Sequence, residues 1–350
     1  SFGFANPHGH VWDRWGQDIV HDGTGANPFH GALFSGHLDY PAKHNRPPQV
    51  YQQRTRPCSG TEILSSRHFP PELQDTLLIG NVIGVQGILL YRISDYESSF
   101  VGAEIEPLVL SSDEKFRPAD IEVAPDGSIY FTDWHNPIIG HMQHNLRDPN
   151  RDREHGRVYR ITYEGRPLVT PPKIAGEPIA KLLNALKEPE NRTRHRARIE
   201  LSGRPTADVI DAANDWIGRL DQKDPNYEHH MLEALWVFQQ HNVINEALLR
   251  RELASKEPKA RAADTRVLCY WRDRVSDSLE LVKKLAADPY PRVRLEAVRA
   301  ASFFTEPEAV EVVLVAAEHP SDQYIDFVRG ETMRQIEPIW KKAVADGRKL

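Results

Sequence analysis

The sequence predicts a multidomain β plus α chain, with partial β-propeller blades in its first half and an α-solenoid in its second. Three observations predict it. Up to residue 165, short apolar runs with period-two alternation recur between clusters of turn residues. Beyond residue 178 the alternation gives way to apolar residues at helical spacing. In that second half the pairs Glu188-Pro189, Asp224-Pro225, Glu257-Pro258, Asp288-Pro289 and His319-Pro320 recur with their prolines 36, 33, 31 and 31 residues apart. That is the period of stacked two-helix units.

Composition narrows the function classes. An apolar fraction of 40% is enough for real cores, and no apolar run approaches the roughly 20 residues that span a bilayer. The chain holds 44 basic and 50 acidic residues, net −6. Residues 1–170 carry that whole excess and residues 171–350 are balanced. Neither half has the basic surplus of a nucleic-acid binder. Cys58 and Cys269 are far apart and form no CxxC, so no disulfide framework is expected.

Residues 1–51 are rich in Gly, His, Asn, Asp and aromatics, and predict short strands at 11–14 and 18–21 before a long loop. A strand is expected over 61–69 (TEILSSRHF). Residues 76–85 (TLLIGNVIGV) are almost wholly apolar and predict a strand buried on both faces. Strands over 87–94 and 103–110 follow. The hairpin signal is strongest next: Ile121 and Val123 alternate with polar neighbours, Pro125-Asp126-Gly127 turns the chain, and Ile129 and Phe131 resume the alternation. A polar loop leads to a strand at 158–163. Strand, turn, strand, long loop, strand is the layout of a blade whose loop lies on the ligand face. Tyr91-Arg92-Ile93 and Tyr159-Arg160-Ile161 look like copies of one blade strand. Such blades number fewer than the roughly four to eight of a closed propeller. Further blades are therefore expected upstream of this chain.

The predicted organisation is C-terminal propeller blades over 1–170, a proline-rich linker over 171–178, and helical repeats over 179–350. Proline suits the first helical turn because its missing N–H has no intrahelical partner there. The clearest unit is DPYPRVRLEAVRAASFF, with Val293, Ala297, Ala301 and Phe304 on the inner face. A second stripe reads Val310, Val313, Leu314 and Ala317. The pattern resembles HEAT repeats, whose DPxxxVRxxAV reads here as Asp288-Pro289, Val293-Arg294 and Ala297-Val298.

Candidate site residues cluster where the second hairpin strand ends, at Asp133, His135 and Asn136, with His141 and His144 beyond. A histidine placed there can act as a general base or hold a cofactor. Arg147 and Arg151 could clamp a carboxylate, a phosphate or the acidic groups of a quinone, or belong to an internally paired surface loop. His8 and His10 alternate along a strand, so both imidazoles can share one face and form an opposite wall. Arg67 ends another strand. No metal site is assigned, because the carboxylates lack EF-hand spacing. His229, His230 and Trp236 read as packing and capping residues. No Gly-rich phosphate loop, G-x-S-x-G elbow or CxxCH motif occurs.

Several segments together resemble the PVC-type haem-binding (CxxCH) protein family, also described as membrane-bound dehydrogenases. They are FRPADIEVAPDGSIYFTDWHNPIIGHMQHNLRDPNRDREHGRVYRI, SFGFANPHGHVWDRWG, RPCSGTEILSSRHFPPELQ, NVIGVQGILLYRI, DPYPRVRLEAVRAASFF and TMRQIEPIWKKAVADG. The resemblance implies a glucose/sorbosone-dehydrogenase-like propeller followed by HEAT-like helices, in an exported protein of the periplasm or cell envelope. It implies an oxidoreductase acting on a sugar or polyol, with pyrroloquinoline quinone (PQQ) as cofactor and calcium as a further candidate. His135 would be the base, and His8, His10, Arg67, Asp133, Asn136, His141, Arg147 and Arg151 the cofactor contacts. Electrons would pass to a cytochrome-c-like haem segment, which lies outside this chain because the CxxCH is absent. A protein partner on the helical repeats is also expected. The competing readings are a non-catalytic propeller and solenoid scaffold, and a metal-dependent propeller hydrolase.

Overall fold

The computed structural model describes residues 6–25, 27–55, 58–138 and 147–350. The first part forms three antiparallel sheets, each a simple meander. β1 (Pro7–Trp12), β2 (Asp18–Asp22) and β3 (Asn27–His30) form the first. β4 (Cys58–Ile63), β5 (Thr76–Asn81), β6 (Gly87–Tyr96) and β7 (Ser99–Leu110) form the second. β8 (Pro118–Val123), β9 (Ile129–Asp133) and β10 (Arg157–Ile161) form the third. No sheet closes into a barrel among the described residues.

The second sheet lies between the other two, and side-chain alternation feeds two cores. Leu77, Ile79, Leu89 and Tyr91 pack with Val11 and Ile19 of the first sheet. Leu78, Ile88 and Leu90 pack with Ile121, Val123, Ile129 and Phe131 of the third. Both faces of β5 are therefore dry, which is why its sequence is a continuous apolar run. The first strands of the sheets approach closely. A Cβ on Gly60 would lie 2.6 Å from the Cα of Asp120, so only glycine fits between β4 and β8.

Strand limits differ from the sequence reading at several places: β5 ends at Asn81 rather than 85, β7 begins at Ser99 rather than 103, β10 ends at Ile161 rather than 163, and two further ends have a visible side-chain cause. β1 ends at Trp12 because Asp13 turns the chain, its Oδ1 accepting the amides of Trp15 and Gln17, each at 2.8 Å. β4 stops at Ile63, and the side chain of Gln74 takes over the pairing of Ser66, accepting from its N–H at 2.9 Å and donating to its carbonyl at 2.7 Å. β3 has no counterpart in the sequence reading.

The helical part opens with α1 (Ile179–Ala185). Helix pairs follow: α2 (Asn191–Ser202) with α3 (Thr206–Ile217), then α4 (Tyr227–Gln240) with α5 (Glu246–Glu252). Next come α6 (Pro258–Trp271) with α7 (Ser278–Leu285), α8 (Pro291–Ala301) with α9 (Ala309–Ala317), and finally α10 (Gln323–Ala345). The five proline pairs stand at the starts of α2, α4, α6, α8 and α10. They also join neighbouring units. Arg261 holds Asp288 of the next unit through two bonds of 2.8 Å, and Arg294 donates to the carbonyl of Pro320 at 2.7 Å. Val293, Ala297, Ala301 and Phe304 are buried as the pattern predicts. In α9 the predicted stripe is rotated. Val310 and Val313 are buried, but Leu314 is 55% exposed and Ala309, Val312 and Ala316 fill the core instead. That helix is apolar nearly all round, so its sequence does not choose a face.

Sheets and helices share a continuous interface. Arg292 of α8 is fully buried, pairs with Asp95 at 2.9 Å and stacks over Phe100 at 4.0 Å. Ser98 bonds Asp322 at 2.8 Å, His44 pairs with Glu331 at 2.9 Å, and Arg67 with Glu190 at 2.8 Å.

A candidate ligand cavity between the sheets and the helices

The β1–β2 turn is seated in the helical array. Its backbone carbonyls are held from below: His229 donates to Arg14 O at 2.8 Å and Arg266 to Gly16 O at 3.0 Å. Gly16 has φ +74°, and a Cβ there would meet the Trp236 ring at 2.9 Å. The turn therefore needs glycine for its backbone and for its contact.

Around this turn lies a cavity of about 480 Å³. β1 contributes His10 and Trp12, and the turn contributes Asp13, Arg14 and Trp15. Glu62 comes from β4, with Arg192, Arg194, His195 and Arg198 from α2. α4 adds Glu233 and Trp236, and α6 adds Arg266 and Tyr270. A smaller hollow beside it runs along α2 and α4 between His195, Arg198 and Trp236.

Most of the charge on the walls is paired. Arg192 holds Glu62 at 2.7 Å, Arg194 holds the buried Glu233 at 3.0 Å, and Arg198 binds the other oxygen of Glu233. Arg266 pairs with the buried Glu296 at 2.7 Å and with Asp18 at 3.3 Å. His10 Nε2 meets the second oxygen of Asp18 at 3.0 Å. Burial would raise the Asp18 carboxyl, but Arg266 and the His10 hydrogen bond outweigh it and hold the group below the ordinary range. Asp13 goes the other way: burial pushes it up to about 6 against the two turn amides it accepts. The His195 imidazole is lowered, by burial first and then by the Arg198 and Arg192 charges. Behind Glu296 the network continues through Gln17 at 3.2 Å to His30 at 2.8 Å and Ser99 at 3.1 Å. This buried chain of polar groups ties cavity wall, sheet and helix into one arrangement.

Of the residues singled out from sequence, His10 lines the cavity. His8 projects from the same exposed face of β1. Arg67 is engaged by Glu188 and Glu190. Asp133 is buried; it accepts from Arg117 N at 2.7 Å and His135 N at 2.8 Å and pairs with Arg157 at 2.8 Å. His135 has φ +48°, meets the Arg157 guanidinium through Nδ1, and places Nε2 3.8 Å from Asp152. Asn136 is buried and donates to the Asp152 carbonyl at 3.0 Å. Arg151 lies over the Trp134 ring at 5.8 Å, and Arg147 is exposed. His141 and His144 lie outside the described residues.

Asp133, His135 and Asn136 thus gather with Arg157 and Asp152 at one end of the third sheet. Asp133 pairs across from Pro118, the first residue of β8. The cavity is at the other end of that strand, where Glu122 meets Arg192. Four residues of strand separate the two levels, about 13 Å. None of the described residues among 133–138 and 147–157 lines the cavity.

The implied cofactors find no cradle among these groups. A quinone's acidic groups need convergent cations, yet Arg67 is occupied by glutamates and Arg151 lies over Trp134, outside the lining that holds His10. No group of three or more His, Cys, Asp or Glu among the described residues could hold a metal ion. No CxxCH is present to take haem.

Sequence reasoning missed Asp13, Arg14, Arg192, Arg198, Trp236 and Tyr270 as site residues. Two short stretches carried a signal, HVWDRWG and NRTRHRAR, in which guanidinium and aromatic or imidazole groups are interleaved.

Comparison with known families finds two matches along the chain. Residues 27–165 match the family model of a domain of unknown function, DUF7133. Residues 246–331 match HEAT repeats. No curated protein matches the chain. The protein is therefore of mixed β plus α class: open antiparallel sheets followed by a helical region with HEAT repeats.

Proposed function

We propose that this chain is the sugar- or polyol-holding portion of a β-propeller protein, with its HEAT-like helices closing one end of the blades. The observation that carries the reading is the cavity itself. It has the size of a small-ligand site. It presents the rings of Trp12, Trp15, Trp236 and Tyr270 beside paired guanidinium and carboxylate groups. Aromatic faces suit the C–H faces of a sugar, and fixed charged pairs suit its hydroxyls. The blade reading draws support from meanders whose first strands, β1, β4 and β8, lie side by side. A dehydrogenase-like activity, an extracytoplasmic setting and electron transfer to a haem segment rest on the sequence resemblance. In that scheme the chain's own residues hold and orient the sugar. HEAT repeats commonly carry protein partners, and the half-exposed Ile199 and Leu314 offer apolar contacts for one.

Tryptophan fluorescence tests the reading, since Trp12, Trp15 and Trp236, three of the chain's seven tryptophans, line the cavity. Titration with a panel of sugars, polyols and sugar acids should give a saturable change that Trp236→Ala abolishes. A flat response to every member would sink it.

A further inference from the structure

We propose that the cavity selects an acidic saccharide, with the sugar carboxylate on Arg14 and its rings against the neighbouring indoles. The proposal rests on the saccharide reading above and names the class of sugar. Its first ground is an unequal set of arginines. Arg192, Arg194, Arg198 and Arg266 each hold a carboxylate. Arg14 instead donates to the neutral amide oxygen of Asn226 at 2.9 Å, and its buried Nε has no hydrogen-bond partner. A guanidinium in a half-enclosed site without a counter-charge is completed by an anion that can take two of its donors.

The second ground is the field of the walls. Five arginines line the cavity with Asp13, Glu62 and Glu233, and behind the walls Asp18 and Glu296 also pair with Arg266 and Glu122 with Arg192, which leaves Arg14 as the lining arginine with no carboxylate partner among the described residues. Glu62 and Glu233 are neutralised by their arginines, and Asp13 shares its charge with the amides of Trp15 and Gln17. The His195 imidazole, which lines the cavity, is held down by burial and further by the Arg198 and Arg192 charges. The third ground is position. The Arg14 guanidinium lies 5.3 Å from the Trp15 ring centroid, and Trp12 opposite is half exposed. A carboxylate on Arg14 therefore brings its own sugar ring onto an aromatic wall. A neutral polyol would leave the Arg14 charge unmet.

The test is calorimetric titration of the whole chain with a trimer of galacturonic acid and with the same trimer after carboxyl reduction. The acid form should bind at least roughly tenfold tighter, and added salt should erode that difference. Arg14→Met should abolish the preference for the acid form over the reduced form. Arg14→Lys should keep part of the preference, since it keeps the charge and loses the fork. Equal binding of both trimers to the unmodified chain overturns the acidic preference while leaving the saccharide reading in place. Binding of neither trimer overturns both. If Arg14→Met does not fold, the ratio and its salt dependence in the unmodified chain decide.

Discussion

Gly16 rests against the indole of Trp236, joining the first β-turn of the chain to the fourth helix of the array. The contact requires a residue without a side chain, and φ +74° requires one that tolerates the left-handed region. Gly16→Ala should therefore destabilise the protein by about 1–3 kcal/mol. It should also reshape the cavity wall. Combined with Trp236→Ala, the steric part should be relieved and only the backbone part remain. Thermal melts of the two single variants and the double variant measure this. Strict additivity would mean that turn and helix do not press on one another.

Arg292 makes a second join, with broader consequences. It is fully buried yet belongs to a helix whose partners are Asp95 and Phe100 in the sheets. Buried charges of this kind hold only while both sides are in place. Sheets and helices should accordingly melt as one cooperative unit, although residues 171–178 read as a linker. Arg292→Ala should cost about 3 kcal/mol and separate the transition into two. Two resolved transitions in the unmodified chain would show that the interface contributes little.

These joins also explain what could be read from the sequence. The hairpin at Asp126-Gly127 was legible because turn chemistry is local. The helical units were legible because prolines recur every 31 to 36 residues, and Arg261 and Arg294 tie the last units together. β3 was not, since four buried residues including Pro28 offer no alternation. The α9 face was not, because Val and Ala occupy every side of it. The cavity was hidden for a different reason. Its walls come from residues near 14, 62, 195, 236 and 266, which only the docking of helices onto sheets brings together.

A buried acidic pair between α5 and α6 gives the chain a pH dependence. Both oxygens of Asp264 are buried without a hydrogen-bond partner. Burial and then the neighbouring Glu252 push its carboxyl well above the ordinary range, and burial pushes Glu252 up to about 7. The folded state thus binds protons that the unfolded chain has already released above about pH 4. Stability from this pair is complete below that pH and falls as pH rises toward 7. Asp264→Asn removes the repelling charge and should flatten the fall. Its melting temperature at pH 8 should exceed that of the unmodified chain by about 2–4 °C per kcal/mol recovered. Parallel stability curves between pH 5 and pH 8 for the two proteins would rule the pair out as the cause.

The last prediction separates the two ends of the strands. His135 looks catalytic by sequence, standing where a blade loop begins among polar neighbours. In the fold its imidazole is held by Arg157 and faces Asp152 at 3.8 Å, and its left-handed backbone is fixed by the Asp133 carboxylate. His10 stands at the cavity, half exposed and held at 3.0 Å by Asp18. Loss of a side chain that touches a ligand weakens binding directly, whereas loss at the far end of β8 acts only through small shifts in packing. His10→Ala should therefore weaken saccharide binding by roughly tenfold, the loss of one good polar contact. His135→Ala should leave it within about twofold and lower the melting temperature slightly, through the lost contact to Arg157, which keeps Asp133 and Asp113. In a longer dehydrogenase-like protein, the same His135→Ala change distinguishes a general base from a turn residue. A general base would lower turnover by about 10²–10⁴ with binding intact, and a turn residue would leave turnover unchanged. Loss of saccharide binding in His135→Ala with His10→Ala unaffected would move the ligand site to the other end of the sheets.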